Sequence, residues 1–254
     1  MNKIIRHSII ENILLKFPNF SKRIFNYTFR NQFGKFINQL KEKKIDIKYV
    51  YDVGANIGEW STFYKKTSLK DSVFYLFEAN ESHRKDLEEK NFNFFIEVLS
   101  DKIKIVDFYN NNNSTGDSYF RENTGNHDNL SPQKISTTTL NELVRKNNLP
   151  LPDLIKIDTQ GAEIDILLGA DKVLENCKLL YLECPIFENF NKNNLNILDY
   201  IKCAKELGFI PQSINQIHHY GGFLVQLDIL FIKKELHQKL DSNPNLLKSL
   251  YSTL

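Results

Sequence analysis

An acid followed by two glycines four positions apart, in Asp52-Val53-Gly54-Ala55-Asn56-Ile57-Gly58, is the part of this sequence best suited to holding a small ligand. The apolar run Tyr49-Val50-Tyr51 before it reads as a buried strand, and a polar-faced helix is expected from about Glu59. A glycine turn between strand and helix lets a ligand lie against bare backbone, at the positive end of the helix dipole. Asp52, at the strand's end, can accept from a ligand amine or hydroxyl. Twenty positions after Gly58, Glu78 closes a second apolar run, Val73-Phe74-Tyr75-Leu76-Phe77. A carboxylate there can hold both hydroxyls of a ribose.

The dinucleotide fingerprint G-x-G-x-x-G uses its middle glycine to clear space for a pyrophosphate. Here Gly54 and Gly58 are separated by three residues, and Asn56 crowds that space. The turn suits a ribose with a small zwitterion attached, as in S-adenosylmethionine. A second strand-and-glycine unit follows in Leu154-Ile155-Lys156-Ile157-Asp158-Thr159-Gln160-Gly161-Ala162-Glu163, with a helix from Ala162 to Leu168 stopped by Gly169-Ala170. Strand carboxyl ends line the ligand crevice of a parallel sheet. Asp52, Glu78 and Asp158 are therefore expected to face one cleft, because unpaired acids are costly to bury.

Taken in order, Asp52 to Gly58, Phe77-Glu78-Ala79-Asn80, Leu99-Ser100-Asp101, Thr138-Thr139-Leu140 and Ile155 to Glu163 resemble the FkbM family of S-adenosylmethionine-dependent methyltransferases. The resemblance covers roughly residues 48 to 232, and its last motif is the most specific. It implies a class I methyltransferase fold and usually O-methylation, with macrolides, sugars and surface polysaccharides as acceptors. It further implies that Asp52, Gly54 and Gly58 line the methionine part of the cofactor, that Glu78 holds the ribose, and that Ser100 and Asp101 lie near the adenine. Asn56, Ala79 and Asp158 complete the expected cofactor-contacting set. The region 110–135 and the segment before residue 45 match no family pattern and are where acceptor identity is expected to reside.

Methyl transfer is an in-line displacement on a sulfonium, so a protein must align the acceptor and expel water. A sugar hydroxyl also has to lose its proton, for which a base within hydrogen-bond reach is needed. Asp158 is the first candidate. His218 and His219 precede the final strand and are the neutral-pH bases, with His219 taken into the expected catalytic set. Glu183, in Tyr181-Leu182-Glu183-Cys184-Pro185, ends another strand and is expected to bind the acceptor. Asp158, Glu183 and a histidine are also able to hold Mg²⁺ or Mn²⁺. No ligand spacing demands this, and no metal is assigned. The [Asp/Asn]-Pro-Pro-aromatic motif of many amino-group methyltransferases is absent, and its place holds Asp158-Thr159-Gln160-Gly161, which favours an oxygen acceptor.

The elements that must position these groups alternate. Strands are expected near 49–53, 73–77, 94–98, 154–158, 179–184, 209–213 and 225–232, and helices near 59–67, 81–90, 140–147, 162–168 and 194–207. The alternation implies an α/β, Rossmann-like fold with a mostly parallel, doubly wound seven-stranded sheet. The run Phe223 to Ile232 follows Gly221-Gly222 closely and is expected to run antiparallel. Ile103 to Tyr109 and Ile135 to Thr138 are expected to add local pairing. The asparagine-rich stretch from Asn110, continued by Gly125-Asn126-His127-Asp128-Asn129, is either a flexible loop or an acceptor lid.

A domain over 45–254 is preceded by residues 1–44, which carry ten basic and two acidic side chains. There Ile4, Ile5, Ile9, Ile10, Ile13, Leu14 and Phe17 recur at helical spacing. A basic amphipathic helix can make a peripheral membrane contact; the expectation is that this one covers a sheet edge or forms a homodimer contact. The 254 residues bury a sizeable core in one α/β domain. A net charge of +2, from 33 basic and 31 acidic residues, gives no pull toward nucleic acid. Cys177, Cys184 and Cys203 form no C-x-x-C pair and fit reduced thiols in a cytoplasm. No run of about 18 apolar residues exists to span a membrane, and Glu11 and Lys16 interrupt the initial apolar stretch, against a secretory leader.

The expected partner is a small-molecule sugar or nucleotide-sugar acceptor. Two other readings compete. A nucleotide-sugar dehydrogenase using NAD would need G-x-G-x-x-G and a Tyr-x-x-x-Lys pair, but Tyr200 has Ala204 where the lysine is required. A non-catalytic subunit keeping the methyltransferase fold would bind cofactor without turnover.

Overall fold

The computed structural model describes residues 32–110, 116–121, 127, 130–188 and 195–240. The apolar series from Ile4 to Phe17 lies outside the described residues, as do parts of the 110–135 stretch. The first helix among the described residues, α1, covers 32–42. Then follow β1 (Tyr49–Val53), α2 (Glu59–Lys66), β2 (Val73–Glu78), a 3₁₀ turn (Glu81–His83), α3 (Arg84–Glu89), β3 (Asn93–Ile96), β4 (Ile105–Phe108) and β5 (Gln133–Ser136). The second half runs α4 (Leu140–Lys146), β6 (Leu154–Ile157), α5 (Glu163–Leu168), α6 (Asp171–Leu174), β7 (Leu179–Pro185), α7 (Ile197–Glu206), β8 (Phe209–Tyr220), β9 (Phe223–Lys233) and α8 (Lys234–Leu240).

Seven strands form one sheet in the order β3-β2-β1-β6-β7-β9-β8, and β4 and β5 pair antiparallel beside it. β9 runs antiparallel to both β7 and β8, and the other pairings of this sheet are parallel. With the β4–β5 pair set aside, the order is third, second, first, fourth, fifth, seventh, sixth, the class I methyltransferase arrangement. The chain reverses its winding between β1 and β6, and a parallel sheet opens its ligand crevice at that switch.

β6 and β7 are buried along their whole length, as befits central strands covered on both faces. Tyr51, Val53, Ile155, Ile157, Leu180 and Leu182 pack on one face, and Val50, Leu154, Leu179 and Tyr181 join the other. In α1, Phe33, Ile37 and Leu40 recur at helical spacing and are at most 1 % exposed. Phe33 packs edge-on against Tyr64 of α2, with ring centroids 4.7 Å apart, and against Tyr181 of β7 at 5.8 Å. This helix of the basic leader is thus built into the core over the second face.

β8 is much longer than the 209–213 expected for it. It and β9 form a hairpin closed by Gly221 and Gly222, with φ of 56° and 84°. Two consecutive left-handed residues make the two-residue turn whose twist matches paired strands. No helix among the described residues is long and apolar enough to cross a membrane.

Candidate active site

A cavity of about 410 Å³ opens at the carboxyl ends of β1, β2, β6 and β7. Of the residues singled out by sequence, Gly54, Asn56, Glu78, Ala79, Asp158 and Glu183 line it. The loops after β1 and β6 touch at its floor. A Cβ on Gly54 would lie 1.9 Å from the Asp158 carbonyl oxygen, and Gly54 has φ +72°. Each loop also holds one non-glycine residue in the left-handed region, Asn56 at φ 50° and Gln160 at φ 56°.

Glu78 is 6 % exposed. Its two carboxylate oxygens accept from the Asn56 and Asn80 backbone N–H groups, at 2.6 and 2.8 Å. Each oxygen keeps a lone pair for a further donor. His83 Nδ1 is buried in the same wall with no hydrogen-bond partner, 3.6 Å from Glu78 Oε1. The Glu78 carboxylate raises the His83 pKa against the opposing effect of burial. A rigidly held carboxylate with the His83 imidazole beside it fits the two hydroxyls of a ribose, so this wall suits S-adenosylmethionine. Asp117 also faces the cavity and accepts from Asn80 Nδ2 at 2.7 Å.

Asp52 is placed otherwise than expected. It is fully buried and pairs in register with Lys156 on the neighbouring strand. Lys156 Nζ lies 3.1 Å from Asp52 Oδ1, and Ser61 of α2 donates to Oδ2 at 2.6 Å. Period-two alternation turns this side chain beneath α2 rather than into the cleft. Gly58 begins α2 with its Cα facing Leu76 and Leu87. Ser100 Oγ is drawn away to Asp101, Tyr119 and Asp165, and Lys104 bridges Asp101 and Asp165. Val98 and Leu99 line the cavity in place of Ser100 and Asp101.

Asp158 directly follows β6, with its side chain 35 % exposed. Lys156 Nζ stands 3.3 Å from Asp158 Oδ2. Burial alone would lower the Lys156 pKa, but the Asp52 and Asp158 carboxylates outweigh it and hold the ammonium firmly charged. The loop itself hangs on Glu163, the buried first residue of α5. Its carboxylate accepts from the backbone N–H of Thr159 (2.7 Å) and of Gly161 (3.0 Å) and from the Tyr200 hydroxyl (2.6 Å).

The far wall carries a second group of polar side chains. Glu183 Oε2 accepts from Gln160 Nε2 at 2.6 Å and from Gln226 Nε2 at 2.8 Å. Burial, then the carboxylates of Asp158 and Asp228, push the Glu183 pKa well up. His218 lines the cavity with Nε2 2.9 Å from Asp228 Oδ1, and Tyr181 donates to Asp228 Oδ2 at 2.9 Å. His219, the histidine expected to act, is exposed on the opposite side of β8 and does not line the cavity. Successive strand residues point to opposite faces, and the ladder also shifts register between the two histidines. Sequence reasoning passed over Asp228, Gln226 and Lys156. Their signal was present, since a charged or amide side chain inside an apolar strand needs a buried partner.

The sequence matches the profile of the Methyltransferase FkbM domain over residues 52–211. No curated protein matches it. Among solved structures, an FkbM methyltransferase from Methylobacillus flagellatus is similar at 15 % identity and a TM-score of 0.44, over 72 % of this chain and 43 % of that one. The chain thus spans less than half the length of that relative. A magnesium protoporphyrin IX methyltransferase from Synechocystis with bound S-adenosylmethionine aligns over 82 % of this chain and 79 % of its own, at 9 % identity and a TM-score of 0.47.

Proposed function

Starting from a chain that belongs to the FkbM methyltransferase family and uses S-adenosylmethionine, we propose that it methylates a hydroxyl of a sugar. The acceptor is a nucleotide-activated sugar or a component of a surface polysaccharide. The observation that carries this reading is the company of Asp158. A partly exposed carboxylate shares one cavity with the ribose-suited wall of Glu78 and with Gln160, Glu183, His218 and Gln226. So many directed donors and acceptors suit a polyol, whose several hydroxyls each need a partner when water is expelled.

Bound S-adenosylmethionine supplies an electrophilic methyl carbon. Glu78 and its wall would hold that cofactor, and Asp158, at the carboxyl end of β6 in the same cavity, would accept the proton that the acceptor hydroxyl gives up as its oxygen is methylated. Lys156 keeps Asp158 oriented between turnovers, and the Gln160 and Glu183 side chains hold a neighbouring hydroxyl. In this assignment His218 takes the place first given to His219.

The test is a panel of nucleotide sugars, lipid-linked glycans and small phenols, incubated with the purified chain and labelled methyl donor. Label is expected on a sugar hydroxyl. Label on phenols alone would sink the acceptor assignment. Binding of S-adenosylhomocysteine with no label on any acceptor would favour the non-catalytic subunit instead.

A further inference from the structure

We infer that Glu183, His218 and Asp228 form a binding site for a divalent cation of the Mn²⁺ class on the acceptor wall of the cleft. The inference rests on the reading of that wall as the acceptor side, and it adds a ligand that the sequence alone did not assign.

The three side chains come from three adjacent strands. Glu183 on β7 and Asp228 on β9 are directly paired in register, and His218 on β8 lies beside them. One ligand atom from each falls within 4.8 Å of the others. His218 Nε2 is 2.9 Å from Asp228 Oδ1 and 3.8 Å from Glu183 Oε1. Neighbouring ligands on an octahedral ion with bonds of about 2.1 Å stand about 3 Å apart, and opposite ones about 4.2 Å. The group therefore needs only small side-chain adjustments to close on an ion.

A second observation separates this group from an ordinary cluster of acids. Each carboxylate has one oxygen engaged by a neutral outer donor and the other turned inward. Gln160 and Gln226 donate to Glu183 Oε2, leaving Oε1 toward His218. Tyr181 donates to Asp228 Oδ2, leaving Oδ1 toward His218. Outer partners that fix the idle oxygen of each ligand are how metal sites orient their first ligands. Charge points the same way. Glu183 and Asp228 are 7 % and 8 % exposed, and Lys156, the buried ammonium nearby, is already spent on Asp52 and Asp158. A dication bound between them would offset the charge of both carboxylates. One nitrogen with two oxygens suits Mn²⁺ better than an all-oxygen ion such as Ca²⁺.

Three protein ligands leave coordination positions open toward the cavity. A cation there can hold two neighbouring oxygens of a sugar and lower the pKa of the one that loses its proton. Asp158 would remain the group that takes the proton.

The decisive experiment uses Mn²⁺ alone, titrated into the full chain and followed by the electron paramagnetic resonance signal of the free ion, with no acceptor present. One equivalent is expected to bind. Asp228→Asn, which still accepts from Tyr181, and His218→Ala should each weaken binding by at least about tenfold, the scale set by losing even an outer partner. S-adenosylhomocysteine affinity, unchanged within about threefold, reports that each variant is folded. Absence of stoichiometric Mn²⁺ binding by the wild-type chain overturns the inference, as does binding undiminished in both variants. Because no acceptor is used, failure here leaves the sugar assignment standing, and failure of the acceptor panel leaves the ion site standing.

Discussion

Asp52 and Asp158 both stand at the carboxyl ends of central strands, one just inside β1 and one just past β6, and only their surroundings separate their roles. Asp52 is sealed under α2 against Lys156 and Ser61, whereas Asp158 opens into the cavity with Lys156 behind it. Asp158→Asn keeps the shape and removes the proton acceptor. It is expected to lower turnover by about 10²- to 10⁴-fold while calorimetry finds S-adenosylhomocysteine affinity within a few-fold; unchanged turnover would remove Asp158 from the chemistry. Glu78→Ala should do the reverse. It strips the acceptor from ligand hydroxyls and from two backbone amides, so cofactor affinity should fall by about 1–3 kcal/mol by the same calorimetry. Beside it, His83 has its pKa raised above the ordinary 6.5 by Glu78. A raised histidine pKa stabilises the fold fully below the unfolded value, and that contribution is lost as pH rises through the folded one. The melting-temperature gap between wild type and His83→Gln should therefore be wider at pH 6 than at pH 9. An equal gap would mean that the pair does not feel the charge.

At the level of elements, the site depends on how closely two strand-end loops approach. Gly54 meets the Asp158 carbonyl at a distance no Cβ tolerates, and its left-handed φ adds its own penalty. Gly54→Ala should destabilise the protein by more than about 1–2 kcal/mol, the cost of the left-handed conformation alone, and should abolish S-adenosylhomocysteine binding as the loops part. Urea unfolding together with calorimetry checks both; a stable variant that still binds would contradict the close contact. The β8–β9 hairpin matters in the same way. Its glycine turn lets β8 run on to Tyr220, and that extension is what carries His218 over the cavity.

Across the whole molecule, the helix at 32–42 packs against the sheet through Phe33, Ile37 and Leu40. Phe33 touches Trp60, Tyr64 and Tyr181, and so stands behind Lys156 and the cleft. Phe33→Ala should cost about 3–5 kcal/mol, the range for emptying a buried aromatic site, measured as a shift in the urea midpoint. A cost below about 1 kcal/mol would show that this helix merely rests on the domain.

Local pattern alone made the strand–helix alternation, the glycine turns and the family motifs legible, because hydrophobic period and turn chemistry act over a few residues. The expected edges of β1, β2, β6 and β7 fall within a residue or so of those observed. Which acids share the cleft was decided only by tertiary structure. Asp52 meets Lys156 across 104 positions and Tyr181 meets Asp228 across 47, and neither pairing leaves a trace in local periodicity. The choice of His218 over His219 turned on a single step of strand alternation at a register shift. Side-chain direction in a strand reverses with every residue, so a sequence can show that histidines stand near a site, while the register of the hairpin determines which one enters it.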